Sequence, residues 1–212
     1  NITAVGAGEC IIRVVSASDN TLGAEVKVKV IKMEGIQQVD GITYFDGILI
    51  ANKTYYLPSN YNPGGLTADT SAAFNALVAG ASNDGIAIWN VSGFRSYDYQ
   101  ATLYNNYCVQ SGQAAADTFS ARPGHSEHQT GLAIDCNMAD DGFIGTAAAI
   151  WLEEHCHEYG FIIRYPQGKQ SITGYKYEPW HIRYIGRENA QKLREAAQAA
   201  GDPYLTLEEY FG

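Results

Sequence analysis

Apolar positions along the chain repeat with two different periods. Residues 9–16 form an apolar run that reads as a strand. Residues 24–30 alternate apolar and polar without a break, the period of a half-buried strand. Ser18-Asp19-Asn20 supplies turn residues between them. Two strands alone make no stable sheet, so residues 1–32 read as the last part of an all-β module that begins upstream. Residues 33–42, with Gly35, Gly41 and scattered apolar positions, read as a linker. Beyond them the periods mix. Short β segments are predicted at 48–52 and 55–58, around an Asn52-Lys53 turn, and buried strands at 86–91, 132–135 and 161–165, the last closed by Pro166. Helical spacing covers residues 69–79, capped by Asp69 or Thr70 and ended by Gly80, then 97–110, 146–159 ending at Gly160, and 188–200 ending at Gly201. Strands and helices do not alternate regularly. The fold class is therefore α+β, a small antiparallel sheet flanked by helices, with an N-terminal all-β fragment.

Composition narrows the function classes. With 46% hydrophobic and 17% charged residues in 212, the chain can bury a core. No apolar run reaches the roughly 20 residues of a membrane-spanning helix. A formal charge of −9 argues against a nucleic-acid partner held through phosphates. The chain starts at Asn1 with no charged-then-apolar leader, so it reads as a piece of something longer. Cys10, Cys108, Cys136 and Cys156 form no C-x-x-C pair or zinc cluster. They read as free thiols, with a Cys108–Cys156 disulfide as the alternative in an exported protein.

The chemistry concentrates in two segments. His128 sits in a loop that leads into the 132–135 strand. There Leu132 and Ile134 face one way and Ala133 and Asp135 the other. Further on, Glu178 and His181 lie three residues apart. Two imidazoles and one carboxylate, His128, Asp135 and His181, make a three-ligand set for one Zn²⁺ with a fourth position open to water. Glu178 is left as a general base. The alternative is a set of satisfied loop histidines and a buried ion pair. His125 reads as a loop residue, and His155 and His157, two apart on a helix, point to different faces. Glu127 reads as a supporting or surface group. Tyr165, Tyr175, Tyr177, Trp180 and Tyr184 read mainly as packing, with one or two touching substrate. An anionic ligand in the site would need donors. Arg95, Ser126, Arg164 and Arg183 are available, and structural salt bridges are the favoured reading of the last two.

Several ordered motifs carry a resemblance. They are Ser126-x-His128-x-x-Gly131-x-Ala133-x-Asp135, Glu178-Pro179-Trp180-His181, and Val91-Ser92-Gly93-Phe94-Arg95-Ser96 with Gln100 and Leu103-Tyr104. The runs at 158–166 and 171–175 belong with them. Over residues 45–212 the chain resembles the VanY-type D-alanyl-D-alanine carboxypeptidases, zinc peptidases related to the D-Ala-D-Ala dipeptidases. Residues 2–8 with the strands after them resemble the end of a bacterial immunoglobulin-like domain. The resemblance implies three regions: 1–32 immunoglobulin-like, 33–42 linker, and 43–212 peptidase. It implies that His128, Asp135 and His181 hold one Zn²⁺, and that Glu178 moves the proton of the attacking water. Arg95 would stabilise the oxyanion, and Ser126 and Gln100 would line the substrate pocket. The implied substrate is a peptidoglycan stem peptide losing its C-terminal D-Ala, with no obligatory protein partner. The implied place is outside the cell, at the cell wall or the extracellular face of the membrane of a bacterium. An L,D-carboxypeptidase or endopeptidase of the same family is the alternative. A non-catalytic wall-binding module is the reading from a different class, and the presence of Glu178 argues against it.

Overall fold

The computed structural model describes residues 8–15, 23–30 and 35–211. Strands β1 (Gly8–Val15) and β2 (Gly23–Val30) pair antiparallel, Gly8 opposite Val30 and Val15 opposite Gly23. They form a two-stranded ribbon that no third described strand joins. The two predicted strands are present, but no distinct immunoglobulin-like fragment is seen. Residues 1–7, where that resemblance begins, lie outside the described residues.

Over residues 36–42 the linker reading is corrected, while residues 33 and 34 lie outside the described residues. β3 (Ile36–Val39), β4 (Ile42–Phe45) and β5 (Ile48–Ile50) form an antiparallel meander. Its two turns are Asp-Gly pairs, Asp40-Gly41 and Asp46-Gly47, with all four residues at positive φ. That is the backbone a two-residue hairpin turn demands. Flanking strands of three and four residues are too short to show a period.

Helix α1 (Ala68–Asn83) starts at Thr67, whose hydroxyl accepts from the Thr70 N–H at 3.2 Å. It runs straight through Gly80. That glycine is a contact, not a stop: a Cβ there would lie 1.9 Å from the Tyr159 hydroxyl. The predicted 86–91 strand shrinks to β6 (Asn90–Ser92), because Ile88 turns into the core while Trp89 is exposed. α2 (Tyr97–Ser111) is capped by Ser96, and α3 (Gln113–Phe119) follows. After β7 (Ala133–Cys136) come α4 (Ala147–His155), a 3-10 turn (Cys156–Tyr159) ending at Gly160, and β8 (Phe161–Ile163). The chain closes with α5 (Gln170–Thr173), β9 (His181–Tyr184), α6 (Arg187–Ala200) and α7 (Leu207–Phe211).

The main sheet is antiparallel in the order β6-β7-β9-β8. Ile134 and Ile182 on its central strands face a core built with Phe74 and Leu77 of α1 and Leu152 of α4. Residue alternation then sends Asp135, His181 and Arg183 to the opposite face. Cys136 and Cys156 are buried and Cys108 is half-buried, and none is in a disulfide, so the Cys108–Cys156 pairing is not formed.

Candidate active site

The register of the sheet assembles the site. Asp135 is the direct cross-strand partner of His181 on β9 and of Ser92 on β6. His128 arrives from a 3-10 turn (Glu127–Thr130) that ends on Gly131 at φ 71°. A Cβ on Gly131 would lie 2.4 Å from the Gly65 carbonyl oxygen, so only glycine lets the turn lie this close. His128, Asp135 and His181 are all buried, and one ligand atom of each lies within 4.8 Å of the others.

The outer partners decide which ring nitrogens face inward. His128 Nδ1 is 2.6 Å from the Gly93 carbonyl oxygen, which only accepts, so Nδ1 carries the proton and Nε2 presents a lone pair. His181 Nε2 is 3.3 Å from Glu127 Oε2 and donates to it. The inward atoms, His128 Nε2 and His181 Nδ1, then lie 3.2 Å and 3.0 Å from the two Asp135 oxygens. Lone pairs facing a carboxylate at such distances need a cation or a proton between them. This donor set, with each imidazole oriented by a carbonyl or carboxylate behind it, fits Zn²⁺.

Without metal, protons do part of that work. Burial opposes charge on His181, but its hydrogen bonds to Asp135 and Glu127 prevail and raise its pKa to about 9. Burial keeps His128 neutral by lowering its pKa. Burial also opposes ionisation of Asp135, yet the protonated His181 ring beside it holds its carboxyl well below the usual range.

Glu127 is completely buried. Its Oε1 accepts from Arg164 Nε at 2.7 Å and Arg183 Nη1 at 2.8 Å. Despite its burial, the two guanidiniums hold it ionised. Arg183 also donates to the Leu49 carbonyl on β5, and Arg164 donates twice to Glu208 on α7. Both arginines are therefore structural, as expected. Glu127 takes the supporting role rather than the surface one.

Arg95, Gln100, Ser126 and Glu178 line one cleft of about 590 Å³ together with the three-residue cluster. Arg95 is clamped by Ser92 Oγ at 3.0 Å and Asp135 Oδ2 at 2.7 Å. Burial, reinforced by Asp135, pushes the Glu178 carboxyl up to about 7. Gln100 donates to the Ala121 carbonyl, while its Oε1 is buried without a hydrogen-bond partner among the described residues. Tyr165, Tyr175 and Trp180 are buried and line the cleft, whereas Tyr177 and Tyr184 do not. His125 bonds the Asn52 carbonyl and His155 pairs with Glu158, both away from the cluster.

Residues 64–187 match the family model of VanY, D-alanyl-D-alanine carboxypeptidase. The chain belongs to the VanY family. Among curated VanY relatives it is 35% identical to YodJ of Bacillus subtilis, named as a carboxypeptidase, over 92% of this chain and 80% of that one. The L,D-carboxypeptidase DacB of Streptococcus pneumoniae superposes with a TM-score of 0.70 at 41% identity, covering 84% and 95% of the two chains. A mutant of the vancomycin-resistance D,D-pentapeptidase VanY, solved in complex with Zn(II), gives 0.64 at 33% identity, covering 77% and 97%. As a VanY-family protein this chain is a zinc metallopeptidase of the D-alanyl-D-alanine carboxypeptidase type, with a His128/Asp135/His181 cluster suited to one Zn²⁺. Sequence reasoning missed the Gly93 and Leu49 carbonyls and Glu208. A carbonyl has no residue-type signal, and Glu208 is 81 positions from Glu127 in the chain (208 − 127).

Proposed function

We propose that this protein is an extracytoplasmic zinc D,D-carboxypeptidase that removes the C-terminal D-Ala from peptidoglycan stem peptides. The observation that carries the reading is the convergence of two inward imidazole lone pairs on Asp135, in a cleft that also holds Glu178. Zn²⁺ held by His128, Asp135 and His181 supplies Lewis acidity toward water and the scissile carbonyl. Glu178 takes the proton of the attacking water and returns it to the leaving amine, and the zinc beside it would favour the carboxylate that accepts that proton. Arg95, fixed by Ser92 and Asp135, offers its remaining N–H groups to the negative charge that develops on the carbonyl oxygen. Ser126 and Gln100 line the part of the cleft that takes the terminal residue, a reading supported by their place in its wall. The β1–β2 ribbon is read as the end of an immunoglobulin-like module, supported by the antiparallel pairing of its strands and the strict alternation of residues 24–30.

A second reading, L,D-carboxypeptidase, is favoured by one observation: the L,D enzyme DacB is more similar in sequence and fold than VanY. Mass spectrometry of two synthetic stem peptides separates them. One ends in D-Ala-D-Ala and the other in a single D-Ala after an L-centre, each run with and without chelator. Chelator-sensitive loss of one alanine from the first is the expected result, and loss only from the second replaces D,D by L,D. No loss from either, with zinc bound, refutes the carboxypeptidase reading.

A further inference from the structure

We propose that Glu208, on the C-terminal helix α7, is a positioning residue for the metal site, acting through Arg164 and Glu127 on His181. The proposal rests on the reading that His128, Asp135 and His181 hold zinc. Glu208 touches no ligand. Its Oε2 and Oε1 accept from Arg164 Nη1 at 2.9 Å and Nη2 at 2.5 Å, and Oε1 also accepts from Asn52 Nδ2 at 3.1 Å. The third donor of the same guanidinium, Nε, is 2.7 Å from Glu127 Oε1. Glu127 Oε2 in turn receives His181 Nε2 at 3.3 Å. A continuous hydrogen-bonded path therefore joins the last helix to a ligand imidazole.

The path has an electrostatic reason as well as a geometric one. Glu127 faces two guanidiniums, Arg164 and Arg183, both fully buried. With Glu208 in place, two carboxylates balance two guanidiniums. Without it, two cations draw on one carboxylate, and Glu127 Oε2 becomes a poorer acceptor for the His181 N–H. The imidazole is then less basic toward a metal and less firmly oriented. Arg164 also loses its two-pronged carboxylate partner, which loosens the guanidinium that holds Glu127.

Loss of the partner behind a ligating histidine weakens metal binding about 10- to 100-fold. Glu208 is one ion pair further out, so Glu208→Gln should fall at the low end, ~10-fold. Glu209→Gln is the control. Glu209 binds Lys169 Nζ at 2.7 Å and the Thr206 N–H at 3.0 Å, so it docks the same helix but has no bond toward His181.

The experiment uses the full chain, stripped of metal. Zinc affinity is measured by chelator competition, and the visible spectrum of the Co(II)-loaded protein reports ligand geometry. Thermal unfolding checks that each variant is folded. Glu208→Gln should weaken zinc ~10-fold and shift the Co(II) spectrum, with Glu209→Gln within ~2-fold of the parent and spectrally unchanged. Glu127→Gln should weaken zinc at least as much, and adding Glu208→Gln to it should cost little more, because both act along one path. Parent-like affinity in Glu208→Gln overturns the proposal, and so does equal loss in Glu208→Gln and Glu209→Gln. If Glu208→Gln does not fold, Glu208→Asp, which keeps the charge and shortens the reach, carries the same comparison. A parent protein that binds no zinc overturns the underlying metal-site reading instead.

Discussion

Adding Zn²⁺ to the metal-free protein should expel protons, in a number that follows from the site. At pH 6 His181, with a pKa of about 9, is fully protonated. Glu178, at about 7, is about nine-tenths protonated by the same titration arithmetic. Asp135 and Glu127 are already ionised, and burial favours the neutral form of His128, whose Nδ1 proton stays hydrogen-bonded to the Gly93 carbonyl, so the count is set by the other two groups. Zinc takes the place of the proton on His181 Nδ1, and a dication beside Glu178 favours its carboxylate. The expected release at pH 6 is about 1.9 protons, about one from His181 and about 0.9 from Glu178. Glu178→Gln removes the second contribution and should release only about one.

Titration calorimetry in several buffers of different ionisation enthalpy measures this directly, because the slope of apparent enthalpy against buffer enthalpy is the proton count. Release of only about 0.9 proton from the parent at pH 6, with almost none from Glu178→Gln, would mean that His181 enters the reaction neutral. The reasoning from Asp135 and Glu127 on either side of its ring would then be refuted. Equal release from the parent and Glu178→Gln would remove the raised Glu178 pKa from the account.

Other expectations are equally open to measurement. Glu178→Gln should keep zinc, by metal analysis, yet lose about 10²- to 10⁴-fold in kcat, the usual worth of a positioned proton-transfer group. Gly131→Ala places a Cβ 2.4 Å from the Gly65 carbonyl and an alanine at φ 71°, so denaturant unfolding should show a loss of about 2–5 kcal/mol. Glu127 and Glu208 have folded pKa values below their unfolded ones, so the stability they contribute is full above about 4.5 and drains as pH falls through their folded values. Acid unfolding followed by circular dichroism should therefore move to higher pH in Arg164→Met, which removes a cation that holds both carboxylates ionised.

The sequence showed the site better than the scaffold around it. His128, Asp135, His181, Glu178, Arg95, Ser126 and Gln100 were legible because their spacing follows motifs, and the structure brings all seven to one cleft. The fold class was legible from mixed periods. Residues 35–50 were not, because their strands are too short to show a period and their Asp-Gly turns look like linker. Gly80 misled because a glycine inside a helix looks like an end until the Tyr159 ring above it is seen. The charged layer behind the site was only half legible. Arg164 and Arg183 could be read as salt-bridging, but the convergence of both on Glu127 is a tertiary fact without local signal.

The charges at the site explain why an acidic protein can take a substrate that ends in a carboxylate. The buried group of Glu127, Glu208, Arg164 and Arg183 sums to zero, so it adds no field of its own sign to the cleft. On the proposed roles, the loaded cleft sums differently. Close to the metal, two positive charges from zinc and one from Arg95 would meet one negative charge each from Asp135 and Glu178, which leaves a single positive charge there, while Asp140, also on the cleft wall, is exposed and screened by water. Lys176 at the cleft wall is neutralised by Asp141 and does not change that sum. One unmatched positive charge in a partly desolvated cleft suits one free C-terminal carboxylate, and a substrate amidated at that end would leave it unpaired. The preference for a chain end over an internal bond is therefore a consequence of charge balance at the metal as much as of pocket shape.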